Sequence, residues 1–455
     1  MRAKKLVLIV VDGLTPETFE RAVEGDGTPA LRFLFENGVY GRAVSVFPSL
    51  TPVCMTSIVT GAPPSVHGIP HLVWYDRQAE RMVEYGSSLG AVMTAGALRS
   101  IRDTIFEMNE RHISRDAVTV YEALDDAGIA TAAVNVTCYR GRTKHPPTVP
   151  GLTRAAYGPR RFFYYNLFES DVTGAPLAIR NRSAGTVDTY AAAVGRWLVT
   201  RDGFDFLLFY LSDYDYASHA LGPESAGEAL RSSDRAIAAL FDAAGGPDEF
   251  LARYDVLLCS DHGQTPVTEP VRLQNVFAGL RIFRRAAPGR ADVAVTASNR
   301  AGMVYRLDSC SESARQLARR LDGVAWADAV CFLEDGNAVA RRAGEEERFG
   351  GEEDGPLFDF PDGKRRVWAA LNTPSAGDVL VSAAAGFEFA DLGGGHHAGG
   401  GSHGSLLAGD SIVPVVAVGL DPDVGAITEI QAAVLGHFGV ALPPYAPVRG
   451  STAAA

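Results

Sequence analysis

The sequence predicts an α/β fold in which a mostly parallel β-sheet is sandwiched between helices. Continuous apolar runs rich in Val, Ile and Leu recur along the chain, as in parallel strands that are covered on both faces. Amphipathic helical segments separate these runs, which is the pattern of repeated βαβ units. At 455 residues, 47% of them apolar, the chain can bury a large core and is long for one simple domain.

The predicted elements follow one another in a regular order. The first strand, residues 5–11, is an unbroken β-branched run that ends at Asp12-Gly13. Further strands are predicted at 39–46, 129–136, 204–211, 254–260 and 412–418. Helices are predicted at 29–37, 114–126, 186–199, 225–244 and 426–438.

One part of the chain has a different character. From about residue 265 to 375, short strand and helix patterns alternate, and the run 341–364 is charged and glycine-rich, as in an exposed hairpin or loop. We therefore expect a core made of residues 1–264 and 376–455. Residues 265–375 are expected to form an inserted α+β cap subdomain.

Charge and cysteine usage exclude several classes of protein. Lys and Arg total 42 against 54 Asp and Glu, a formal charge of −12, and no long basic run occurs. We therefore expect no nucleic-acid polymer and no membrane as a partner. The apolar run before Asp12 is too short for a signal peptide, and the five scattered cysteines lack CxxC spacing. A cytoplasmic protein is expected, while the oligomeric state is not indicated.

Residues 47–61 are typical of a strand end, a tight turn and a short helix. Pro52 suits the start of that helix and Gly61 suits its stop, so Thr51 is predicted to be the N-cap. Its hydroxyl would lie at the positive end of the helix dipole beside unpaired N–H groups, which favours an alkoxide or a bound phosphate. Threonine is also an ordinary N-cap residue, so its chemistry depends on the rest of the chain.

Carboxylates and imidazoles follow several of the predicted strands. Asp215 and His219 are four residues apart, so a helical turn would place them on one face. Carboxyl ends of parallel strands meet at one edge of a sheet, although each of these residues could also serve in a turn or a cap. The candidate set is Asp12, Asp215, His219, Asp261, His262 and His403.

Six such groups around Thr51 suit two divalent ions that share a phosphoryl group. A threonine hydroxyl is a weak nucleophile at its free pKa, and it becomes competent when an ion holds it as the alkoxide. Mixed oxygen and nitrogen ligands fit Zn²⁺ best, with Mn²⁺ as an alternative. The predicted cofactors are therefore two divalent metal ions.

The ordered motifs together resemble the alkaline phosphatase superfamily, and within it the nucleotide pyrophosphatase/phosphodiesterase branch. The resemblance covers about residues 5–264 and 376–440 and implies an alkaline-phosphatase-like core. The motifs are Val11-Asp12-Gly13, residues 47–61 with Thr51, His67-Gly68-Ile69, Asp215-x-x-x-His219, Ser260-Asp261-His262-Gly263 and Gly401-Ser402-His403-Gly404.

The resemblance implies a role for each candidate. One zinc, which activates water, would be held by Asp215, His219 and His403. The second would be held by Asp12, Asp261 and His262, with Thr51 as a further ligand and as the nucleophile. The implied reaction is hydrolysis in two steps through a covalent phospho-threonine.

Substrate contacts are predicted from two stretches. Arg140, Arg142 and His145 concentrate positive charge in one loop, which could cradle a phosphate or be simply solvated. Cys54 lies three residues after Thr51 and is a candidate substrate contact. The resemblance implies an asparagine at this position, and a thiol is a weaker hydrogen-bond donor than an amide. The aromatic stretch 161–168 could form a stacking wall or could pack in the core.

These observations favour a two-metal phosphodiesterase or nucleotide pyrophosphatase that acts on a small phosphoester. A phosphomonoesterase or phosphonate hydrolase with the same metals is the alternative. The aromatic stretch 161–168 favours a diester, whereas the basic loop favours a monoester. A third possibility, from a different class, is a metal-dependent protein that binds a phosphorylated ligand without turnover.

Overall fold

A computed structural model describes residues 3–148, 153–164, 167–169, 187–285, 291–351, 353–420 and 424–446. The strands are β1 (Lys5–Val11), β2 (Val39–Val44), β3 (Val73–Asp76), β4 (Arg81–Glu84), β5 (Thr131–Val134), β6 (Thr143–His145), β7 (Ala156–Gly158), β8 (Arg161–Tyr164), β9 (Phe168–Glu169), β10 (Phe206–Leu211), β11 (Tyr254–Cys259), β12 (Thr265–Val271), β13 (Val293–Ser298), β14 (Ala301–Arg306), β15 (Ala327–Glu334), β16 (Asn337–Arg342), β17 (Glu345–Phe349), β18 (Val379–Ala383), β19 (Gly386–Phe389), β20 (Gly401–Ser402) and β21 (Ile412–Val418).

The α-helices are α1 (Pro16–Glu24), α2 (Pro29–Asn37), α3 (Thr51–Thr60), α4 (Pro64–His67), α5 (Leu89–Ala95), α6 (Ala97–Arg102), α7 (Val120–Asp126), α8 (Val187–Thr200), α9 (Asp213–Leu221), α10 (Gly227–Ala244), α11 (Pro247–Arg253), α12 (Ala314–Arg319), α13 (Gly363–Leu371), α14 (Ala408–Ser411) and α15 (Ile430–His437). A π-helix spans Asp103–His112, and short 3₁₀ helices span Leu273–Phe277 and Ile427–Glu429. None of the helices in the described part of the chain is long and apolar enough to cross a membrane.

The central sheet has eight strands in the order β2-β21-β11-β1-β10-β5-β8-β9. The strands β11, β1, β10, β5 and β8 run parallel, while β21 is antiparallel to β11 and to β2, and β9 is antiparallel to β8. Helices α1, α2, α8 and α10 pack on one face, and α3, α7 and α15 pack on the other. The predicted α/β sandwich is therefore confirmed.

Helix α3 begins one residue earlier than the sequence suggests. Leu50 is the N-cap, because its backbone is extended and its carbonyl accepts the N–H groups of Val53 and Cys54, both at 2.9 Å. Thr51 is therefore the first helical residue and not the N-cap, which corrects the expectation. Gly61 ends the helix in the left-handed conformation with φ 64°, as expected.

A second sheet has six strands in the order β13-β14-β18-β15-β16-β17. The sequence predicts that residues 376–455 belong to the core, but β18 pairs with β14 and β15, so the second sheet extends beyond residue 375. A buried apolar run indicates a strand but not the sheet that it joins, which explains the difference. The hairpin expected in the charged run 341–364 is present where β16 pairs with β17.

A three-stranded sheet, β19-β12-β20, connects the two larger sheets. Strand β12 begins just after Asp261 and His262, and β20 ends just before His403. Thr265 pairs with Ser402 in the antiparallel β12-β20 ladder. This pairing brings His403 to the edge of the central sheet where β11 ends.

Candidate functional site

The carboxylates and imidazoles singled out in the sequence converge where β1, β10 and β11 end. Two groups of ligand atoms each lie within 4.8 Å of one another, and all of the residues concerned are buried. One group is Asp12, Asp261 and His262, and the other is Asp215, His262 and His403. His219 lies beside the second group, with its Nε2 3.2 Å from Asp215 Oδ2.

The three histidine rings are held in the same way. In each of them Nδ1 bonds a backbone carbonyl, and because a carbonyl only accepts, Nδ1 carries the proton. A neutral ring then presents the Nε2 lone pair, which is the usual state of a metal-binding histidine. The pairs are His219 with Gly401 at 2.8 Å, His262 with Gly263 at 3.1 Å, and His403 with Ser49 at 2.7 Å.

Acceptors face acceptors around His262. Its Nε2 lies 3.3 Å from Asp12 Oδ1 and 3.4 Å from Asp261 Oδ2, and it accepts a hydrogen bond from the Thr51 hydroxyl at 3.1 Å. Both of these carboxylate oxygens are buried and have no hydrogen-bond partner. Buried oxygens without donors are costly unless a cation satisfies them, so this donor set fits a metal ion.

The pKa shifts at the site also fit a bound cation. Burial and the charges of Asp261 and Asp215 raise the pKa of Asp12 well above its ordinary value, and burial is also the main cause that raises the pKa of Asp261. Burial and neighbouring imidazoles lower the pKa of His403, which keeps this ring neutral. For Asp215, burial opposes the change, but the imidazoles of His219 and its neighbours lower the pKa. The cluster therefore concentrates negative charge that a cation would stabilise.

Two side chains that the sequence pattern does not single out hold the acidic ligands. The Tyr210 hydroxyl donates to Asp12 Oδ2, and the Gln264 amide donates to Asp215 Oδ1. Gly13, at φ 71°, leaves room for this packing, since a Cβ there would lie 2.7 Å from Asp215 Oδ1. Gln264 lies two residues after His262, and Tyr210 lies near the end of β10. Proximity in the sequence to a predicted ligand was therefore the signal that could have identified them.

A cavity of about 590 Å³ opens onto the cluster. Thr51 lines it together with Asp12, Asp215, His219 and His403. Apolar and aromatic side chains also line it, namely Pro52, Leu72, Tyr85, Met108 and Tyr216. No Lys or Arg of the described ranges is among the lining residues.

The basic loop does not reach this cavity. Arg140 is buried, and its guanidinium bonds Glu122 at 3.2 Å and three backbone carbonyls. Arg142 pairs with Glu122 and Asp126, and the His145 ring bonds the carbonyl of Pro159 at 2.7 Å. The buried carboxylate of Glu122 attracts this positive charge, so the loop has a structural role. The prediction that these residues contact a phosphate is therefore wrong.

Cys54 and the aromatic stretch also belong to the interior. Cys54 Sγ lies 3.2 Å from Ser45 Oγ, the residue does not line the cavity, and burial raises the pKa of its thiol well above the ordinary value. Phe162 and Phe168 stack with ring centroids 5.5 Å apart and pack with Tyr139 in a small core. Of the two alternatives for the stretch 161–168, packing in the core is the one that the structure shows for Phe162 and Phe168. Tyr165 lies outside the described residues.

The sequence matches the model of a known protein family. The model described as type I phosphodiesterase / nucleotide pyrophosphatase matches residues 6–406. The chain belongs to this family. The resemblance to the nucleotide pyrophosphatase/phosphodiesterase branch is thereby confirmed, and the protein is an enzyme of the phosphoester hydrolase class.

Solved structures resemble this phosphodiesterase family member along almost all of its length. Phosphonoacetate hydrolase from Sinorhizobium meliloti 1021, in complex with phosphonoformate, is 18% identical with a TM-score of 0.64, and 96% of each chain is covered. An inactive threonine-to-alanine variant of murine ectonucleotide pyrophosphatase / phosphodiesterase 5, in complex with AMP, is 13% identical with a TM-score of 0.60, covering 97% of this chain and 96% of that one. At these identities the likeness shows the shared fold.

Proposed function

We propose that this enzyme hydrolyses small phosphoric diesters or nucleotide pyrophosphates, with two divalent metal ions and Thr51 as the nucleophile. The observation that carries the proposal is the position of the Thr51 hydroxyl. It lies 3.1 Å from His262 Nε2, beside buried carboxylate oxygens that have no other partner. A cytoplasmic location and Zn²⁺ as the metal are parts of the same proposal.

The ligands divide between two ions. Asp12, Asp261 and His262, together with Thr51, would hold one ion. Asp215, His219 and His403 would hold the other. When bound, the ions supply positive charge that stabilises the phosphoryl oxygens and the alkoxide form of a hydroxyl.

Residues of this chain position the reaction. Thr51, the first residue of α3, lies where the helix dipole favours negative charge. The Thr51 hydroxyl gives its proton to water as its oxygen attacks phosphorus, the bond from phosphorus to the leaving alcohol or phosphate breaks, and the leaving oxygen takes a proton from water. Water then attacks the phospho-threonine, which releases the phosphate monoester and restores the hydroxyl. Tyr210 and Gln264 keep the acidic ligands oriented through their hydrogen bonds.

The cavity supports a diester over a monoester. A monoester carries a second negative charge, and sites for it usually add a cationic side chain. The described lining of this cavity has no Lys or Arg, whereas Leu72, Met108 and Tyr216 offer apolar surface to a second ester substituent.

Thr51→Ala tests the nucleophile, with Thr51→Ser as the matched control that keeps a hydroxyl. With bis-p-nitrophenyl phosphate and Zn²⁺ or Mn²⁺, we expect Thr51→Ala to lower kcat/KM about 10⁴-fold, while Thr51→Ser retains most of the activity. Metal content, measured by elemental analysis, should stay near the wild-type value. Turnover by Thr51→Ala at the wild-type rate would contradict the proposal.

A substrate panel tests the diester preference. It compares the diester with p-nitrophenyl phosphate, a nucleotide pyrophosphate and phosphonoacetate. The diester or the pyrophosphate should give the highest kcat/KM. A preference for the monoester or the phosphonate of about 100-fold, which corresponds to about 2.7 kcal/mol, would replace the proposed substrate class.

A further inference from the structure

Asn299 lies at the turn between β13 and β14 of the second sheet, and it reaches the cavity at the edge of the central sheet. It lines the cavity together with Thr51 and His403, and it is 5% exposed. Its backbone is left-handed, with φ 55°, which is uncommon for a residue other than glycine. Strained backbone that surrounding structure maintains is found preferentially at functional sites.

Two hydrogen bonds orient the Asn299 amide. The Ser298 hydroxyl donates to Oδ1 at 2.8 Å, and Nδ2 lies 3.0 Å from His403 Nε2. His403 Nδ1–H donates a hydrogen bond to the Ser49 carbonyl, so the Nε2 of the neutral ring is an acceptor. The Asn299 Nδ2 is therefore the donor in the bond to His403 Nε2. The reverse orientation of the amide would place two acceptors against each other.

This arrangement changes when His403 binds a metal ion. The Nε2 lone pair would then belong to the ion, and the Asn299 Nδ2 would lose its acceptor while Ser298 still holds Oδ1. A buried N–H without an acceptor costs about 1–3 kcal/mol. The acceptor that a phosphoester brings to this place is a phosphoryl oxygen.

We propose that Asn299 donates a hydrogen bond to a non-bridging oxygen of the phosphoryl group and is a catalytic residue supplied by the second sheet. The inference rests on the proposed function of the same site. A donor that meets the charge developing on such an oxygen contributes about 10²- to 10³-fold in rate in other enzymes. An uncharged donor also matches the single negative charge of a diester.

The turn that carries Asn299 is held from both sides. The Arg300 N–H donates to the His403 carbonyl at 2.8 Å, and the Phe389 N–H donates to the Asn299 carbonyl at 2.7 Å. The Arg300 side chain is fully buried in an ion pair with Asp410. These contacts hold the backbone of Asn299 at the edge of the cavity before substrate binds, so the amide has only to turn from His403 Nε2 to a phosphoryl oxygen when an ion takes that lone pair.

Asn299→Gly is the variant that tests this, because glycine accepts the left-handed backbone and removes only the amide side chain. Asp335→Gly is the matched control. Asp335 is also left-handed, at φ 51°, and lies in the β15-β16 turn of the same sheet, where its side chain is 85% exposed. Zinc content and the thermal midpoint are measured for both variants.

Two readouts on zinc-loaded enzyme decide the outcome. For Asn299→Gly we expect kcat for bis-p-nitrophenyl phosphate to fall about 100-fold or more, and calorimetric affinity for inorganic phosphate to fall about tenfold. Asp335→Gly should change neither. Wild-type turnover and phosphate affinity in Asn299→Gly would overturn the inference. So would a loss of zinc, because Asn299 would then support His403 and not the substrate.

The same experiment separates this inference from the function on which it rests. If the wild type turned over no phosphoester, the proposed function would fail. Weaker phosphate binding by Asn299→Gly with zinc retained would, even then, support the contact between Asn299 and the phosphoryl oxygen.

Discussion

Two buried polar clusters lie side by side in this enzyme and differ in how well the protein satisfies them. Arg300 and Asp410 are both fully buried, and Arg300 Nη1 lies 2.9 and 3.1 Å from the two oxygens of Asp410. The remaining guanidinium groups donate to the carbonyls of Phe387 and Ala384, and Asp410 also accepts the Ser405 N–H. Every charge in this cluster has a partner within the protein.

The cluster around His262 is different. Asp12 Oδ1 and Asp261 Oδ2 have no hydrogen-bond partner, and both face the lone pair of His262 Nε2. Burial alone therefore does not identify a site. Buried polar groups with complete hydrogen bonding stabilise the fold, whereas buried acceptors that face one another call for a ligand.

The largest expected effect comes from Asp12→Asn, which should sharpen this contrast. The amide cannot serve as an anionic ligand, so metal content should fall and kcat/KM should drop about 10⁴-fold, or about 5.5 kcal/mol. In the metal-free protein the free energy of unfolding should instead rise by about 1 kcal/mol, because the new amide can donate to His262 Nε2.

Urea unfolding after chelation measures the stability of the metal-free protein, with the exposed Asp116→Asn as the control. If Asp12→Asn destabilised the metal-free protein by several kcal/mol, the cluster around His262 would be structural and would not differ from the Arg300–Asp410 cluster.

Asp410→Asn should act in the opposite direction. It leaves the buried guanidinium of Arg300 without its anion, so the free energy of unfolding should fall by about 3–5 kcal/mol. Urea unfolding of Asp410→Asn, Arg300→Met and the double variant measures the coupling. The double variant should lose less than the sum of the two single variants. Additive losses would show that the two side chains do not act as a pair.

His67 is a third buried polar group, and a smaller effect is expected there. It is buried, its Nδ1 accepts the Ile69 N–H and its Nε2 bonds the Ser57 hydroxyl, each at 3.1 Å, and burial lowers its pKa to about 3. The unfolded chain binds a proton at this histidine as pH falls below about 6.5, whereas the folded state stays neutral until about pH 3. The contribution of neutral His67 to the free energy of unfolding is therefore fully present above about pH 6.5. It is lost as pH falls towards about 3, by about 1.4 kcal/mol per pH unit.

Urea unfolding between about pH 6 and about pH 5 measures this slope, and His67→Gln should reduce it by about 1.4 kcal/mol per pH unit. His396→Gln, at an exposed histidine, should leave it nearly unchanged. An identical slope in the wild type and His67→Gln would show that the folded state tolerates a charged ring at this position.

Charge along the sequence was a poor guide to substrate contacts, because the fold brings opposite charges to the basic loop. Arg140 and Arg142 lie in a basic loop of an acidic protein, yet Glu122 and Asp126 on α7 neutralise them. Sequence shows how many charges a segment carries. It does not show which opposite charge the fold brings to it.

The sequence by itself predicted six of the eight strands of the central sheet and the groups at its edge. Unbroken apolar runs predicted buried parallel strands, and Asp12 and Asp261 follow two of them directly, so the common edge of parallel strands was enough to bring them together. This inference works because strand direction and side-chain order are local properties of the chain.

Only the tertiary structure decided the sheet that β18 joins, the structural roles of Arg140 and Cys54, and the presence of Asn299 beside His403. Asn299 and His403 are 104 residues apart, and Asn299 lies on the second sheet. Local patterns specify helices and strands. Contacts between distant segments depend on which surfaces pack together, and that choice is made by the whole core at once.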